Sequence, residues 1–307
     1  MALSEAGAKL PYDKAAIASW CAARGIDVIV GDHLGDGALN LHWLVHREDS
    51  GEALVFRQRA PGHWFRRGFV GEALAQTMAR QAGVLAPEVL HADRQAMLMA
   101  YSSGTADREI VIAQAALSVE LIGDITTQLR ILRHKTGFVF QGEDRESWLE
   151  MAISDYCLAR TDWFEKLEQP ARARKIMAQV ATLGFEGLCL SHGDFRTGNL
   201  QVNDGRLSAL LDWEFAGYRP LEADVGWMLS SPWRYSRPDL PASGLMERRT
   251  LLDAIGQDDS PRLRGWEALA LVRWAVIARL QDSRQGLPPG SNADERALLE
   301  EAAALVA

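Results

Sequence analysis

Residues 191–215 read SHGDFRTGNLQVNDGRLSALLDWEF, and this stretch decides the fold. Two runs of alternating apolar residues flank Asp204 and Gly205, a pair typical of the type I′ turn of a β-hairpin. With these residues in the turn, the predicted cross-strand pairs are Asn203 with Arg206, Gln201 with Ser208, and Asn199 with Leu210. The apolar side chains then predicted for one face of the hairpin are Leu200, Val202, Leu207, Ala209 and Leu211.

Three polar side chains are expected to meet at the open end of this hairpin. Asn199 and Asp212 share its other face, one diagonal step of about 7–8 Å or less apart. Gly193 permits a tight backbone course just before Asp194, so the loop that follows would lie beside this pair. Two such oxygen-bearing side chains can share one cation, and a carboxylate next to it can orient a hydroxyl group and accept its proton while the metal neutralises a phosphate. The pattern therefore predicts phosphoryl transfer.

Two other interpretations of the same stretch are open. In the first, it is a buried polar turn in which Asp194 caps a loop and Asp212 ends a strand, which explains each residue singly but not their convergence. In the second, His192 and Asp194 are ligands of a metal-dependent hydrolase. Such a site needs further ligands, and the other histidines lie mostly in the first third of the chain or in connectors.

The chain changes character near residue 103. Before it, the pattern predicts helices at 12–24 and 67–82 and strands at 26–30, 41–45, 53–59, 89–91 and 96–101. The apolar side predicted for the second helix carries Val70, Ala73, Leu74, Thr77 and Met78. After the connector Ser102-Ser103-Gly104, the pattern is mostly helical, at 111–134, 145–167, 171–183, 224–230, 245–254, 263–283 and beyond 292. We expect an α+β protein with units at 1–103 and 104–307.

Composition narrows the possible partners and location. A net charge of -8 and a pI near 5.5 argue against a nucleic-acid binder, which needs a basic face. The three cysteines are far apart, which suits a reducing cytoplasm. The N-terminus has no continuous apolar region, and residues 268–280 fall short of the roughly 20 apolar residues that span a bilayer. We expect a cytoplasmic protein that binds neither nucleic acid nor membranes.

The motif His192-Gly193-Asp194, with Asn199 five residues later and Asp212-Trp213-Glu214 beyond the hairpin, resembles the catalytic and metal-binding segments of aminoglycoside phosphotransferases and related kinases. The resemblance implies a two-lobed protein-kinase-like fold, with a small antiparallel-sheet N-lobe and a mainly helical C-lobe. It implies that Asp194 is the catalytic base, that Arg196 belongs to the catalytic group, and that Asp224 supports the loop. Asn199 and Asp212 would bind Mg²⁺.

The resemblance also implies an ATP site in the N-lobe, with GTP as an open alternative. Gly35, Gly37 and Asn40 fall where the phosphate-binding turn belongs, although Leu39 stands where relatives often have serine. The third strand has no lysine, and Arg57 takes the position of the basic residue that contacts phosphates, with Arg59 as its competitor.

The remaining nucleotide contacts follow from the same comparison. Glu72 on the following helix is the expected carboxylate partner of the phosphate-binding arginine. Met99 and Tyr101 would lie nearest the base.

The acceptor is expected to be a small molecule with a hydroxyl group. Residues 216–293 contain nine acidic and ten basic residues, so this region lacks the acidic surplus that polycationic aminoglycosides favour. The aromatic residues that can line an apolar acceptor pocket are Trp233, Tyr235, Trp266 and Trp274.

The C-terminal half resembles one branch of the family in particular. The segments that carry this likeness are Phe195-Arg196, Asp224-Val225-Gly226-Trp227, Trp233-Arg234-Tyr235 and Arg273-Trp274. The branch includes kinase-like domains joined to acyl-CoA dehydrogenases, which makes a hydroxylated acyl compound one candidate. The alternatives are an antibiotic kinase and a nucleotide-binding pseudokinase, the latter motivated by Arg57 and Leu39.

Overall fold

A five-stranded antiparallel sheet dominates the N-terminal part of the computed structural model, which describes residues 12–36, 40–59, 68–137 and 145–307. Its strands are β1 Val28–Asp36, β2 Asn40–Arg47, β3 Ala53–Arg59, β4 Val89–Ala92 and β5 Ala96–Ala100, in the order β1-β2-β3-β5-β4. Helices α1 Lys14–Ala22 and α2 Phe69–Ala82 accompany the sheet. All the elements predicted before residue 103 are present, with bounds that differ by a few residues.

The buried face of α2 is only partly the one predicted. Ala73 is buried as expected, but Val70 and Leu74 are exposed, whereas Phe69, Glu72 and Gln76 are buried. Glu72 and Gln76 are buried because both have polar partners in the interior. Glu72 forms an ion pair with Arg57 of β3, and the Gln76 amide donates to the Pro87 carbonyl at 2.7 Å. A pattern of hydrophobicity alone therefore misplaces Val70 and Leu74 and misses the buried polar residues of this helix.

The C-terminal part is mainly helical, as predicted. Its helices are α3 Arg108–Ala115, α4 Val119–Lys135, α5 Arg145–Tyr156, α6 Asp162–Glu165, α7 Pro170–Ala181, α8 Glu222–Leu229, α9 Arg248–Ile255, α10 Pro261–Arg284 and α11 Glu295–Leu305. The single helix expected at 111–134 is two, because Ser118 caps the start of α4 by accepting a hydrogen bond from the Leu121 amide. The helix expected at 145–167 is also divided, into α5 and α6.

Helix α10 is the central element of this part and is buried along most of its length. It packs closely on α8 at Gly226, where a Cβ would lie 2.6 Å from the backbone nitrogen of Glu267. This close approach fixes α8 against the core, and α8 carries Asp224 and Trp227 to the site described below.

The hairpin that decides the fold is present, with one correction to its register. Strands β7 Leu200–Asn203 and β8 Arg206–Leu210 pair around the expected turn, but Gln201 pairs with Ala209 and Leu200 with Leu210. The predicted pairs of Gln201 with Ser208 and Asn199 with Leu210 are wrong, because a β-bulge at Ser208 adds one residue to β8. The bulge places Leu210 in the core and leaves Leu211 partly exposed at a cavity.

Two short strands, β6 Cys189–Ser191 and β9 Gly217–Arg219, pair beside the hairpin. The segment that follows β5 is hydrogen-bonded to the hairpin, since the Thr105 amide donates to the Val202 carbonyl of β7 at 2.9 Å.

The unit boundary at residue 103 stays a prediction. Of the helices that the structure describes, none alone is both long and apolar enough to cross a membrane; α3 and α4, bent by 111°, reach that length and composition only as a pair.

Candidate active site

The loop from His192 to Asn199 is held from behind by Asp224. Its carboxylate accepts hydrogen bonds from the backbone nitrogens of His192 at 2.9 Å and Gly193 at 2.7 Å, and from the Ser191 hydroxyl at 3.2 Å. Gly193 has a φ of +79°, and a Cβ there would lie 2.2 Å from the Phe215 carbonyl oxygen. The tight turn predicted before Asp194 therefore requires glycine, because a side chain at residue 193 would clash with the Phe215 backbone.

His192 is a structural residue of this loop. Its Nδ1 accepts from the Asp194 amide at 3.1 Å, so the ring proton is on Nε2, which lies 2.8 Å from the Leu211 carbonyl oxygen. Burial lowers the pKa of the imidazole, against the opposing effect of the nearby Asp224 and Asp194 charges. Because both nitrogens are engaged, the ring has no free position for a metal, which argues against the hydrolase interpretation.

The Asp194 carboxylate is surrounded by donors. Its Oδ1 accepts from the Trp227 indole at 2.7 Å and from Arg196 Nε at 3.0 Å, and its Oδ2 accepts from Asn199 Nδ2 at 2.6 Å. Arg196 also donates to the Tyr235 hydroxyl at 3.2 Å. These bonds fix the orientation of the carboxylate.

Asn199 is oriented by the same network. Its Nδ2 also donates to the Asp194 carbonyl at 2.8 Å, so both amide hydrogens are directed at Asp194. The amide oxygen is therefore directed away from Asp194 and can serve a cation.

Asp212 ends the hairpin in a left-handed conformation, with a φ of 60°. Its Oδ1 lies 2.7 Å from Arg57 Nη2, and Arg57 Nη1 lies 2.5 Å from Glu72 Oε1. Burial disfavours the charge of Asp212, but Arg57 and His42 outweigh it and hold the pKa of this carboxyl below its usual range. The structure thus brings the predicted Arg57–Glu72 pair together and links it to Asp212 at the open end of the hairpin.

A second chain of contacts runs parallel to the first. Arg59 donates to Asn40 Oδ1 at 2.8 Å, and Asn40 Nδ2 donates to Glu214 Oε2 at 3.1 Å. Burial raises the pKa of the Glu214 carboxyl to about 8, and the Asp212 and Glu72 charges add to this effect. The two arginines of β3 therefore form ion pairs with different carboxyl groups at the open end of the hairpin: Arg57 with Asp212 and Arg59 with Glu214.

One cavity, of about 310 Å³, lies between the sheet and the hairpin. The residues predicted for nucleotide and metal that line it are Arg57, Met99, Tyr101, Asn199 and Asp212. Glu72 does not line this cavity but pairs with Arg57, which does, and Asn40 lines a different cavity. Gly35 lies near the end of β1, and Gly37 falls outside the described residues.

Two lining residues of this cavity, His42 and Gln76, were missed by sequence reasoning. His42 is the cross-strand neighbour of Arg57. Only the register of β2 against β3 shows this relationship, since nothing in the local sequence marks the residue.

The second cavity, of about 140 Å³, lies on the other side of Asp212. It is lined by Asn40, His42, Asp194, Arg196, Asp212, Glu214, Phe215, Trp227, Trp233, Trp274, Ile277, Leu280, Gln281 and Arg284. Of the aromatic residues expected here, Trp233 and Trp274 line the cavity. Tyr235 contacts it through Arg196, and Trp266 packs in the core against Tyr156 at 5.3 Å between ring centroids.

The donor set fits a magnesium ion held together with phosphate oxygens. Among the described residues, no group of three or more His, Cys, Asp or Glu side chains could hold a metal ion without other ligands. Asn199 and Asp212 line the same cavity and offer one amide and one carboxylate oxygen. Mg²⁺ commonly takes one or two protein oxygens and completes its shell with substrate phosphates and water.

Comparison with known proteins shows which family this chain resembles. The chain matches the model of one family, described as the phosphotransferase enzyme family (APH), over residues 32–272. No curated protein matches it in sequence.

Solved structures share the fold over nearly the whole chain. A thermostable mutant of aminoglycoside phosphotransferase APH(4)-Ia, in a ternary complex with ADP and hygromycin B, has 15% identity and a TM-score of 0.65, covering 95% of this chain and 97% of that one. Macrolide 2'-phosphotransferase MphH from Brachybacterium faecium has 17% identity, a TM-score of 0.52, and coverage of 96% and 98%. Ethanolamine kinase from Plasmodium vivax has 12% identity, a TM-score of 0.60, and coverage of 92% and 81%. These likenesses confirm the two-lobed kinase-like fold.

Proposed function

Because the chain belongs to the phosphotransferase enzyme family, we propose that it transfers the γ-phosphate of magnesium-bound ATP to a hydroxyl group of a small molecule. One observation carries this proposal: two cavities meet at Asp212. The first is lined by five of the residues expected to contact nucleotide and metal: Arg57, Met99, Tyr101, Asn199 and Asp212. The second is lined by Asp194 and Arg196. A phosphate bound beside Asp212 would therefore face an acceptor bound beside Asp194.

Asp194 is the proposed catalytic base. It would accept a hydrogen bond from the acceptor hydroxyl and take its proton as the new oxygen–phosphorus bond forms. Its three donors, Trp227, Arg196 and Asn199, hold the carboxylate in one orientation, which reduces the reorganisation needed in the transition state.

Arg196 is the proposed stabiliser of the transferred phosphoryl group. Although burial disfavours its charge, Asp194 and Tyr235 raise the pKa of this guanidinium, so it is a permanent cation next to the base. A fixed positive charge at this place would attract negative charge on the phosphoryl oxygens.

On the nucleotide side, Asn199 and Asp212 would hold Mg²⁺, whose chemistry is to neutralise charge on the phosphates. Arg57, held by Glu72, would contact the phosphates, and Met99 and Tyr101 would lie near the base. ATP is favoured over GTP because the related APH(4)-Ia is described in complex with ADP.

The pseudokinase interpretation is disfavoured because Asp194 and Asn199 are in contact and Asp212 lines cavities with both. The resemblance to the branch joined to acyl-CoA dehydrogenases stays a prediction, as does the boundary between lobes at residue 103. We place the protein in the cytoplasm, since its three cysteines are buried and unpaired, which suits reducing conditions.

The test is ATP turnover with magnesium and a panel of hydroxyl compounds, followed by mass measurement of the products. We expect Asp194→Asn to lower kcat by about 10²–10⁴-fold, the usual contribution of general base catalysis. Asp204→Asn, at the remote hairpin turn, is the matched control and should keep full activity. Unchanged turnover in the Asp194 variant would refute the assignment.

The metal is tested separately by thermal unfolding with ATP. The wild-type protein should gain stability from ATP in the presence of magnesium, and Asp212→Asn should lose most of that gain. A magnesium-dependent gain that persists in the variant would place the cation elsewhere.

A further inference from the structure

We infer that the acceptor is a small alcohol with a flat apolar body and no positive charge. This inference rests on the phosphotransferase activity proposed above and names the substrate class of the second cavity. Three properties of that cavity carry it: its aromatic wall, the pairing of its carboxylates, and its size.

Three tryptophans form a continuous wall that begins at the proposed base. The ring centroids of Trp227 and Trp233 are 4.9 Å apart, and those of Trp233 and Trp274 are 4.7 Å apart. Trp227 donates its indole hydrogen to Asp194, and Ile277 and Leu280 extend the apolar lining. An apolar body packed on this wall would place its hydroxyl end at Asp194.

Among the residues that the structure describes, every carboxylate that lines the cavity has an arginine beside it. Asp194 lies 3.0 Å from Arg196, Asp212 lies 2.7 Å from Arg57, and Glu214 lies 3.6 Å from Arg59. A further arginine, Arg284, also lines the cavity. An ammonium group bound here would lose its hydration and would have to compete with these arginines for a carboxylate partner, which is costly. A neutral acceptor loses no charge hydration, and an anionic acceptor meets Arg196 and Arg284 in the lining.

The size of the cavity limits the part of the acceptor that enters it. Its volume is about 140 Å³. Pockets for drug-sized ligands are usually about 300–1,000 Å³, and one water molecule occupies about 30 Å³. The space therefore suits one ring or a short branched chain near the hydroxyl group, and a sugar with several rings would project from it.

The experiment uses three alcohols that share a phenyl ring and differ in charge: 2-phenylethanol, 3-hydroxy-3-phenylpropanoate and 2-amino-1-phenylethanol. Product is measured by mass and by release of ADP, with a multi-ring amino sugar as a fourth acceptor. We expect phosphorylation of the neutral and anionic alcohols with kcat/KM at least about tenfold above that of the cationic alcohol and the amino sugar. Equal or better use of either cation would overturn the inference.

Variants of the wall test the site of binding. Trp274→Ala should raise the KM for 2-phenylethanol about tenfold, since it removes one side of the wall, and Trp274→Phe should recover most of the loss. Trp163→Ala, a partly exposed tryptophan on α6 outside both cavities, is the matched control and should leave that KM unchanged. An unchanged KM in Trp274→Ala would overturn the inference.

Failure of this inference and failure of the proposed function give different results. Transfer to other hydroxyl compounds, but to none of the three phenyl alcohols, overturns the acceptor class and leaves phosphoryl transfer intact. Absence of any magnesium-dependent stabilisation by ATP overturns the proposed function and, with it, the inference.

Discussion

The indole Nε1 of Trp227 donates a hydrogen bond of 2.7 Å to Oδ1 of Asp194. Both residues are buried, and Trp227 is carried on α8, the helix that also carries Asp224. One turn of helix thus holds two parts of the loop: Asp224 binds its backbone, and Trp227 binds its carboxylate. We infer that Trp227 positions the proposed base without touching the nucleotide.

Replacement of Trp227 by phenylalanine tests this positioning role. The aromatic packing on Trp233 would be largely kept, but the donor to Asp194 would be lost. We expect Trp227→Phe to lower kcat about tenfold while the KM for ATP changes less than about twofold, because one neutral donor to a carboxylate is worth roughly 1.5 kcal/mol. The measurement is steady-state kinetics with the best acceptor.

Trp266→Phe is the control for that experiment. Trp266 is equally buried, packs on Tyr156 and does not contact Asp194. Equal kinetic losses in the two variants would show that the effect comes from core packing rather than from the hydrogen bond.

Replacement of Asp224 by asparagine is expected to destabilise the whole protein. An amide offers one acceptor oxygen where the carboxylate offers two, so at least one of the backbone nitrogens of His192 and Gly193 would lose its partner in a fully buried place. We expect a loss of about 2–4 kcal/mol in the free energy of unfolding, measured by urea denaturation. Asp253→Asn, which removes an exposed ion pair with Arg249, should cost less than about 1 kcal/mol. Similar losses in both variants would contradict the role of Asp224.

The sequence predicts much of this site because the hairpin is local. Its turn, its two strands and the residues at its open end lie within 25 positions, so turn chemistry and alternation are enough to bring Asn199 and Asp212 to one end. The β-bulge at Ser208 was not predictable in the same way. The displaced Ser208 donates its hydroxyl hydrogen to the Ser103 carbonyl at 2.8 Å, a contact between segments far apart in sequence that local alternation does not reveal.

The face of α2 and the role of Trp227 depend on long-range contacts. Glu72 is buried because it forms an ion pair with Arg57 of β3. A hydrophobic pattern predicts exposure for a charged residue such as Glu72, because the pattern contains no information about this partner. Trp227 stood out only as part of a family motif, since its partner Asp194 lies 33 residues away. Reasoning from residue type and local pattern therefore misses roles that depend on a distant partner, and only the family resemblance assigned such roles to Glu72 and Asp224.

Two variants separate the structural role of Arg57 from its proposed role in nucleotide binding. Arg57→Met alone leaves Glu72 buried without its closest cation, so we expect a loss of about 3–5 kcal/mol in the free energy of unfolding. Adding Glu72→Gln should recover most of that stability, because the uncompensated charge is gone. The KM for ATP should be raised at least about tenfold in both proteins.

The double variant is the decisive one for Arg57. A stable Arg57→Met, Glu72→Gln protein with the wild-type KM for ATP would show that this arginine only packs the interior. Recovered stability together with weak ATP binding would support direct contact with phosphate.

The burial of His192 predicts a pH dependence of stability. Its folded-state pKa is below that of an exposed histidine, so the unfolded chain takes up a proton below about pH 6.5 while the folded protein does not. The stability contributed by neutral His192 is therefore present above about pH 6.5 and is lost as the pH falls towards the folded-state pKa. His192→Gln should be less stable than the wild type at pH 7.5, and the difference should shrink between pH 6.5 and pH 5, by up to about 1.4 kcal/mol for each unit by which the pKa is lowered. Urea denaturation at several pH values measures this difference, with the exposed His134→Gln as control. A difference that stays constant over this range would mean that His192 does not titrate differently in the folded and unfolded chains.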